Sequence, residues 1–332
     1  MKKYLYIALA AAALTSCSSD EAIEMVEKKA VSFDNVFVNN ATRAADLTAD
    51  NLADFSVYGS VEANGTQGLI FNNTKVYKPE GATKFQYDNT QYWIASAQYD
   101  FAAFAPYTDA KWSYSLTDSK IAQTGTITFD NATAKANQDF LFAYTKPEKT
   151  ADKILTQPDA VGFTFNHMLS RVKFTFVNAF AATSNIELKV TDVHITNAYT
   201  QGTLPISNGT AGTWTAEAAN ATLDIDFDDA GTSAIANNSG KASTTHYYLI
   251  PVKNTYNVTF NVELIQAGVS VGNYDRTATV EIDLQKGISY DVKAILNDKN
   301  ATTSELFPIE FTVNGVEGWP TNWTEQNATV QK

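Results

Sequence analysis

The chain has 332 residues, a formal net charge of −12 and one cysteine, Cys17. An acidic body without a basic, aromatic-interleaved patch excludes nucleic acid as a partner. A lone cysteine excludes an intrachain disulfide, so stability must come from buried cores. Only 18 % of residues are charged, while Phe (19) and Tyr (16) are abundant. β-branched and aromatic residues suit pleated sheets, and Asn, Gly and Thr suit turns, so the composition is that of an exported all-β protein.

The N-terminus reads MKKYLYIALAAAALTSC. Lys2 and Lys3 make a positive n-region, and residues 4–14 form an apolar run of signal-peptide length that is too short to span a bilayer. Leu14-Thr15-Ser16-Cys17 resembles the bacterial lipobox, whose Cys is acylated and becomes the new N-terminus. Acyl chains such as palmitate then hold the protein on a membrane, at about 0.8 kcal/mol per buried CH₂. The acidic stretch that follows, Ser18 to Glu21, resembles a surface-export signal of Bacteroidetes lipoproteins; a solvated tether is the alternative. Residues 1–43 hold five basic (Lys2, Lys3, Lys28, Lys29, Arg43) and five acidic residues (Asp20, Glu21, Glu24, Glu27, Asp34), so residues 44–332 carry the whole net charge.

Apolar residues then alternate with period two, and no sustained helical period appears. Strands are predicted at 31–38, with Val31 and Phe33 on one face, and at 55–61, 98–104, 126–129 and 140–144. Further strands follow around Val172, Phe174 and Phe176; Ile186, Leu188 and Val190; Leu223, Ile225 and Phe227; residues 256–264; Val280, Ile282 and Leu284; Ile288, Tyr290 and Val292; and residues 307–313. Asn64-Gly65 and Asn208-Gly209 mark turns, and Lys286-Gly287 reads as a hairpin turn. A short helix is possible at 48–53. Many short strands between turns predict sandwiches. The Lys- and Pro-containing stretch 145–158 breaks the pattern, so the expected division is 1–16 signal peptide, 17–43 lipidated N-terminal strand, 44–155 first sandwich and 156–332 second sandwich.

Catalytic chemistry is not legible. His167, His194 and His246 lack metal-ligand spacing, and His194 and His246, both in strand-like runs, read as strand-face or core residues. No nucleophile elbow, zinc-protease, phosphate-loop or dinucleotide motif is present. Asp228-Asp229 reads as a solvated loop. The chain is therefore expected to be no enzyme, with no catalytic residue, metal or cofactor. Trp93, Trp112, Trp214, Trp319 and Trp323 have two readings: a sugar-stacking platform of a surface glycan-binding lipoprotein, or sandwich core.

Between the first strand and the next lies Asn39-Asn40-Ala41-Thr42-Arg43-Ala44-Ala45-Asp46, small and polar, a loop a protease can enter. Arg43 is its single basic residue, so a trypsin-like enzyme would separate the first strand from the rest. The alternative is a loop arginine that nothing cuts, which leaves the protein anchored.

The order lipobox, short strand, Thr42-Arg43-Ala44 and DNLADFSVYGS resembles the Bacteroidales fimbrillins, the subunits of type V pili. HMLSRVKFTF (167–176), HYYLIPV (246–252) and FTVNGVEGW (311–319) are also similar to that family. The resemblance covers essentially the whole chain. It implies two transthyretin-like antiparallel β-sandwich domains and transport to the outer surface of the outer membrane with lipid on Cys17. It further implies cleavage between Arg43 and Ala44 by an arginine-specific protease, and assembly by donor-strand exchange. In that scheme a strand from another pilus subunit fills the emptied groove, building an adhesive fimbrium. Residues 307–313 have the alternation of a donor strand, or of the last strand of their own domain.

Overall fold

The computed structural model describes residues 28–38, 51–107, 112–118, 123–130, 138–148, 150, 160–217, 221–225, 234–242, 246–302 and 311–316. Cys17, Arg43, Ala44, Asp228, Asp229, Trp319 and Trp323 lie outside them, as do residues 48–50 of the possible helix; 51–53 are turn and coil. In chain order the strands are β1 Phe33–Val38, β2 Asp54–Ala63, β3 Thr66–Tyr77, β4 Gln98–Ala105, β5 Trp112–Asp118, β6 Thr124–Asp130, β7 Leu141–Thr145, β8 Val161–His167, β9 Ser170–Asn178, β10 Ile186–Ala198, β11 Gln201–Ser207, β12 Thr210–Ala211, β13 Thr215–Ala216, β14 Ala221–Ile225, β15 Gly240–Ala242, β16 Tyr247–Leu249, β17 Lys253–Gln266, β18 Val269–Asp283, β19 Ser289–Leu296 and β20 Phe311–Val316. One short helix, α1 Asp298–Thr302, stands between the last two. The expected all-β sandwich architecture is what the chain adopts.

Among the described residues, four sheets pair into two sandwiches. The first holds a six-stranded sheet, β1-β8-β7-β4-β2-β3, against β12-β11-β6-β5, with β13 on β11. The second holds β14-β10-β17-β18 against β15-β9-β19-β20, with β16 on β9. Most pairs are antiparallel, as expected. Among the described strands two pairs are parallel, β1 with β8 and β9 with β19. Both join strands far apart in sequence, a pairing that a hairpin cannot make.

The central sheet of the first sandwich is apolar on both faces, and β4 shows why. Its sequence QYDFAAFA is nearly continuous in apolar residues, the pattern of a strand covered on two sides. Tyr99, Phe101, Ala103 and Ala105 enter one core with Val31, Phe33, Phe71 and Phe163. Ala102 and Phe104 enter another, with Trp112, Phe129, Leu204 and Trp214. Asp100 shares the second face at full burial. It accepts hydrogen bonds from the Gln123 amide (3.1 Å) and side chain (3.3 Å) and from the Tyr144 hydroxyl (2.9 Å). The second sandwich closes on Val172, Phe174 and Phe176 of β9, the apolar residues of β10 and β17, and Tyr290, Val292 and Ala294 of β19.

The chain does not divide at 155/156 as the sequence suggested. β8 lies beyond that point yet pairs with β1 and β7, and β11 pairs with β6 along its length. The chain first crosses between sandwiches at 167–171; it returns to the first for β11 to β13 and leaves it again before β14. His167 Nδ1 lies 2.8 Å from Asp139 Oδ2. The Met168 carbonyl accepts from Trp214 Nε1 at 2.7 Å, the Leu169 carbonyl accepts from the Gly287 amide at 2.9 Å, and Arg171 Nε donates to Ser289 Oγ at 2.9 Å. Lys-Pro composition marks a loop, but long-range strand pairing decides which sandwich the flanking strands join. Lys286-Gly287 is likewise a turn but not a hairpin. β18 pairs with β17, whereas β19 pairs with β9 and β20, so this segment carries the chain from one sheet to the other. Buried Leu284 in the core between them holds it there.

Candidate assembly site: the seat of the first strand

β1 is an edge strand that contributes one side chain to the centre of a core. Phe33 is 2 % exposed. Its ring packs against Phe71 (5.3 Å between centroids), Tyr87 (5.6 Å), Phe163 (5.7 Å) and Phe101 (5.8 Å). Val31 beside it is equally buried, as the predicted shared face requires. The inward phase then changes. Phe33 lies opposite Val161 and Val36 opposite Phe163, so three residues of β1 match two of β8. This bulge inserts one residue and turns the strand by one step. Val36 and Val38 therefore pack on the core, and Phe37 is left 61 % exposed.

The main chain is held on both sides of Phe33. The Val161 amide donates to the Ser32 carbonyl (2.8 Å), the Val31 amide to the Gln91 carbonyl (2.8 Å) and the Trp93 amide to the Lys29 carbonyl (3.0 Å). Tyr87 Oη donates to the Val31 carbonyl at 2.6 Å, and burial raises the pKa of this phenol. Residues 29–38 thus lie in a slot between the edge of β8 and the segment 87–93. Taking them away would leave the β8 edge unpaired and the Phe71, Phe101 and Phe163 rings open to water, an unfavourable state.

The other residues singled out in the sequence are structural where they are described. His167 is buried in the crossing segment. His194 is a part-exposed residue of β10, and His246 is a part-exposed residue just before β16, with His246 Nε2 3.3 Å from Tyr248 Oη. Among the described residues no His, Cys, Asp and Glu cluster has the form of a metal site. Trp93, Trp112 and Trp214 are 3 %, 8 % and 4 % exposed, so these three form no stacking platform. Trp93 meets Tyr99 edge-on at 4.8 Å, and Trp112 Nε1 donates to the Pro106 carbonyl at 3.0 Å. Sequence reasoning placed Phe33 on a strand face but gave no sign of its aromatic cage. Tyr87 lies in a connecting segment with no periodicity, and Phe71 lies in β3, a strand the alternation did not reveal.

The fold is thus a two-sandwich β protein whose first strand sits on a sheet edge. A fimbrillin-like family profile matches residues 42–314, and the chain belongs to that family. A profile of prokaryotic membrane lipoprotein lipid attachment sites matches residues 1–18, a stretch that includes Cys17. The fold is similar to that of a fimbrial protein from Bacteroides vulgatus (16 % identity, TM-score 0.57, covering 88 % of this chain and all of that one). It is also similar to proposed cell adhesion proteins from Bacteroides ovatus (16 %, TM-score 0.51, 89 % and 99 % covered) and Bacteroides uniformis (17 %, TM-score 0.50, 88 % and 99 % covered). No curated protein matches the chain.

Proposed function

We propose that this chain is a non-enzymatic subunit of an adhesive surface pilus, delivered to the outer membrane with lipid on Cys17 and made competent by loss of β1. Hydrolysis of the Arg43–Ala44 peptide bond by an arginine-specific protease leaves a carboxylate on Arg43 and an amine on Ala44, and cuts the chain between β1 and β2. A strand of another subunit then takes the place of β1 by β-strand addition, in which main-chain bonds supply affinity and side-chain pockets supply register. Each subunit that offers both seat and strand makes a head-to-tail contact, which builds an open filament.

The observation that carries this reading is the seat itself. An edge strand, joined to β2 through the segment that holds Arg43, fills an aromatic slot with Phe33. The family and the lipid-attachment match support the same route. The test is N-terminal sequencing of the mature surface protein together with sedimentation of the cut form. An N-terminus at Ala44 and polymers are expected. A trimmed chain that stays strictly monomeric would sink the donor-strand step.

A further inference from the structure

We propose that cleavage and release are separate events: after the cut, the lipid-bearing strand stays seated, and the subunit leaves the membrane only when another strand displaces β1. This rests on the cleavage reading above. The described contacts of the seat fall within residues 28–38, so hydrolysis after Arg43 breaks none of the bonds between β1 and the body. Val31 and Phe33 are fully buried, and each such side chain contributes roughly ten- to a hundredfold to an equilibrium constant. The amides and carbonyls of 29–32 are tied to Gln91, Trp93, Val161 and Tyr87. The fragment that carries lipid on Cys17 is the fragment that carries Phe33. A cut subunit is therefore still tethered through this strand, with its slot capped against aggregation and against loss from the cell.

The far end of the strand is the weaker one. Val36 and Val38 are only partly buried and Phe37 faces solvent, whereas the near end holds the fully buried Val31 and Phe33 and is bonded both to the 87–93 segment and to Val161. Displacement therefore starts at Val38 and finishes by expelling Phe33 from its cage. Release is thereby coupled to the arrival of the next subunit's strand.

The experiment uses the full-length lipidated protein in phosphatidylethanolamine–phosphatidylglycerol liposomes. A recognition sequence for an unrelated protease, inserted between Arg43 and Ala44, makes the cut independent of whether the cell's own protease uses that bond. After complete cleavage, shown on a denaturing gel, the vesicles are sedimented over time. The wild-type body is expected in the pellet, and so is the solvent-facing control Phe37→Ser. The Phe33→Ala body is expected to reach the supernatant roughly a hundredfold faster or more. An excess of a synthetic peptide of residues 29–38 is expected to move the cut wild-type body into the supernatant, and the same peptide with Phe33→Ala is not. This second arm keeps the test sound if the Phe33→Ala chain folds poorly. Release of the wild-type body as fast as it is cut would overturn the proposal, even with cleavage at Arg43 in cells and polymer formation intact.

Discussion

Phe33 and Phe37 are four residues apart on one strand and have opposite fates. Phe33 lies in a cage of four rings, so Phe33→Ala is expected to cost about 3–5 kcal/mol, the usual range for a buried aromatic. Phe37→Ser, at an exposed site, should stay within about 0.5 kcal/mol. Urea denaturation of the uncut chain checks both. A strict alternation that begins at Val31 and Phe33 also turns Phe37 inward, and the bulge between Phe33 and Val36 overrides it. Asp139 is the other telling residue. Its carboxylate accepts from the Phe140 amide at 2.8 Å and faces His167. Asp139→Ala removes an acceptor from two buried groups and is expected to cost about 1–3 kcal/mol, read as a lower melting temperature without a change of fold.

Strands are legible in the sequence where the alternation has one buried face. β17 buries every second residue from Tyr256 to Leu264, and the predicted strand falls inside it. Asn64 and Gly65, at φ of 50° and 74°, form the two-residue turn between β2 and β3; that left-handed geometry is what makes Asn-Gly a hairpin signal. β3 is not legible, because its burial pattern is irregular where the ladder to β2 shifts register. β18 is legible only near its end, because most of its length is exposed. The predicted late strand at 307–313 corresponds to β20, Phe311–Val316, paired along β19; residues 307–310 lie outside the described residues. The sheet pairing also decides what a truncated chain can do. Residues 44–155 alone lack β8 and β11, strands that the sheets of the first sandwich need. That fragment is expected to stay unfolded by circular dichroism, with strand signal restored only when residues up to 217 are included together with β1.

Across the molecule, buried phenols make the fold sensitive to alkali. Burial, with the nearby Tyr107, pushes Tyr58 up to about 12. Burial does the same to Tyr99 and, with Asp283 nearby, to Tyr290, each also to about 12. In the unfolded chain a phenol ionises near 10. A group whose pKa is higher in the fold contributes stability that is complete below about pH 10 and fades as the pH rises through its folded value near 12. Stability is therefore expected to fall between those limits. Absorbance near 295 nm should show these phenols ionising together with unfolding, not before it.

The all-β class and the lipid-attachment stretch that ends near Cys17 could be read from residue order alone, because they depend on composition, local period and short motifs. The partners of β8 and β11, the first crossing at 167–171 and the cage around Phe33 could not. They join residues such as Phe33, Phe71, Phe101 and Phe163, which are far apart in sequence. Only closure of the sheet, through hydrogen bonds and burial between distant strands, brings them into one slot. That closure turns a short apolar segment into an edge strand seated among aromatic rings.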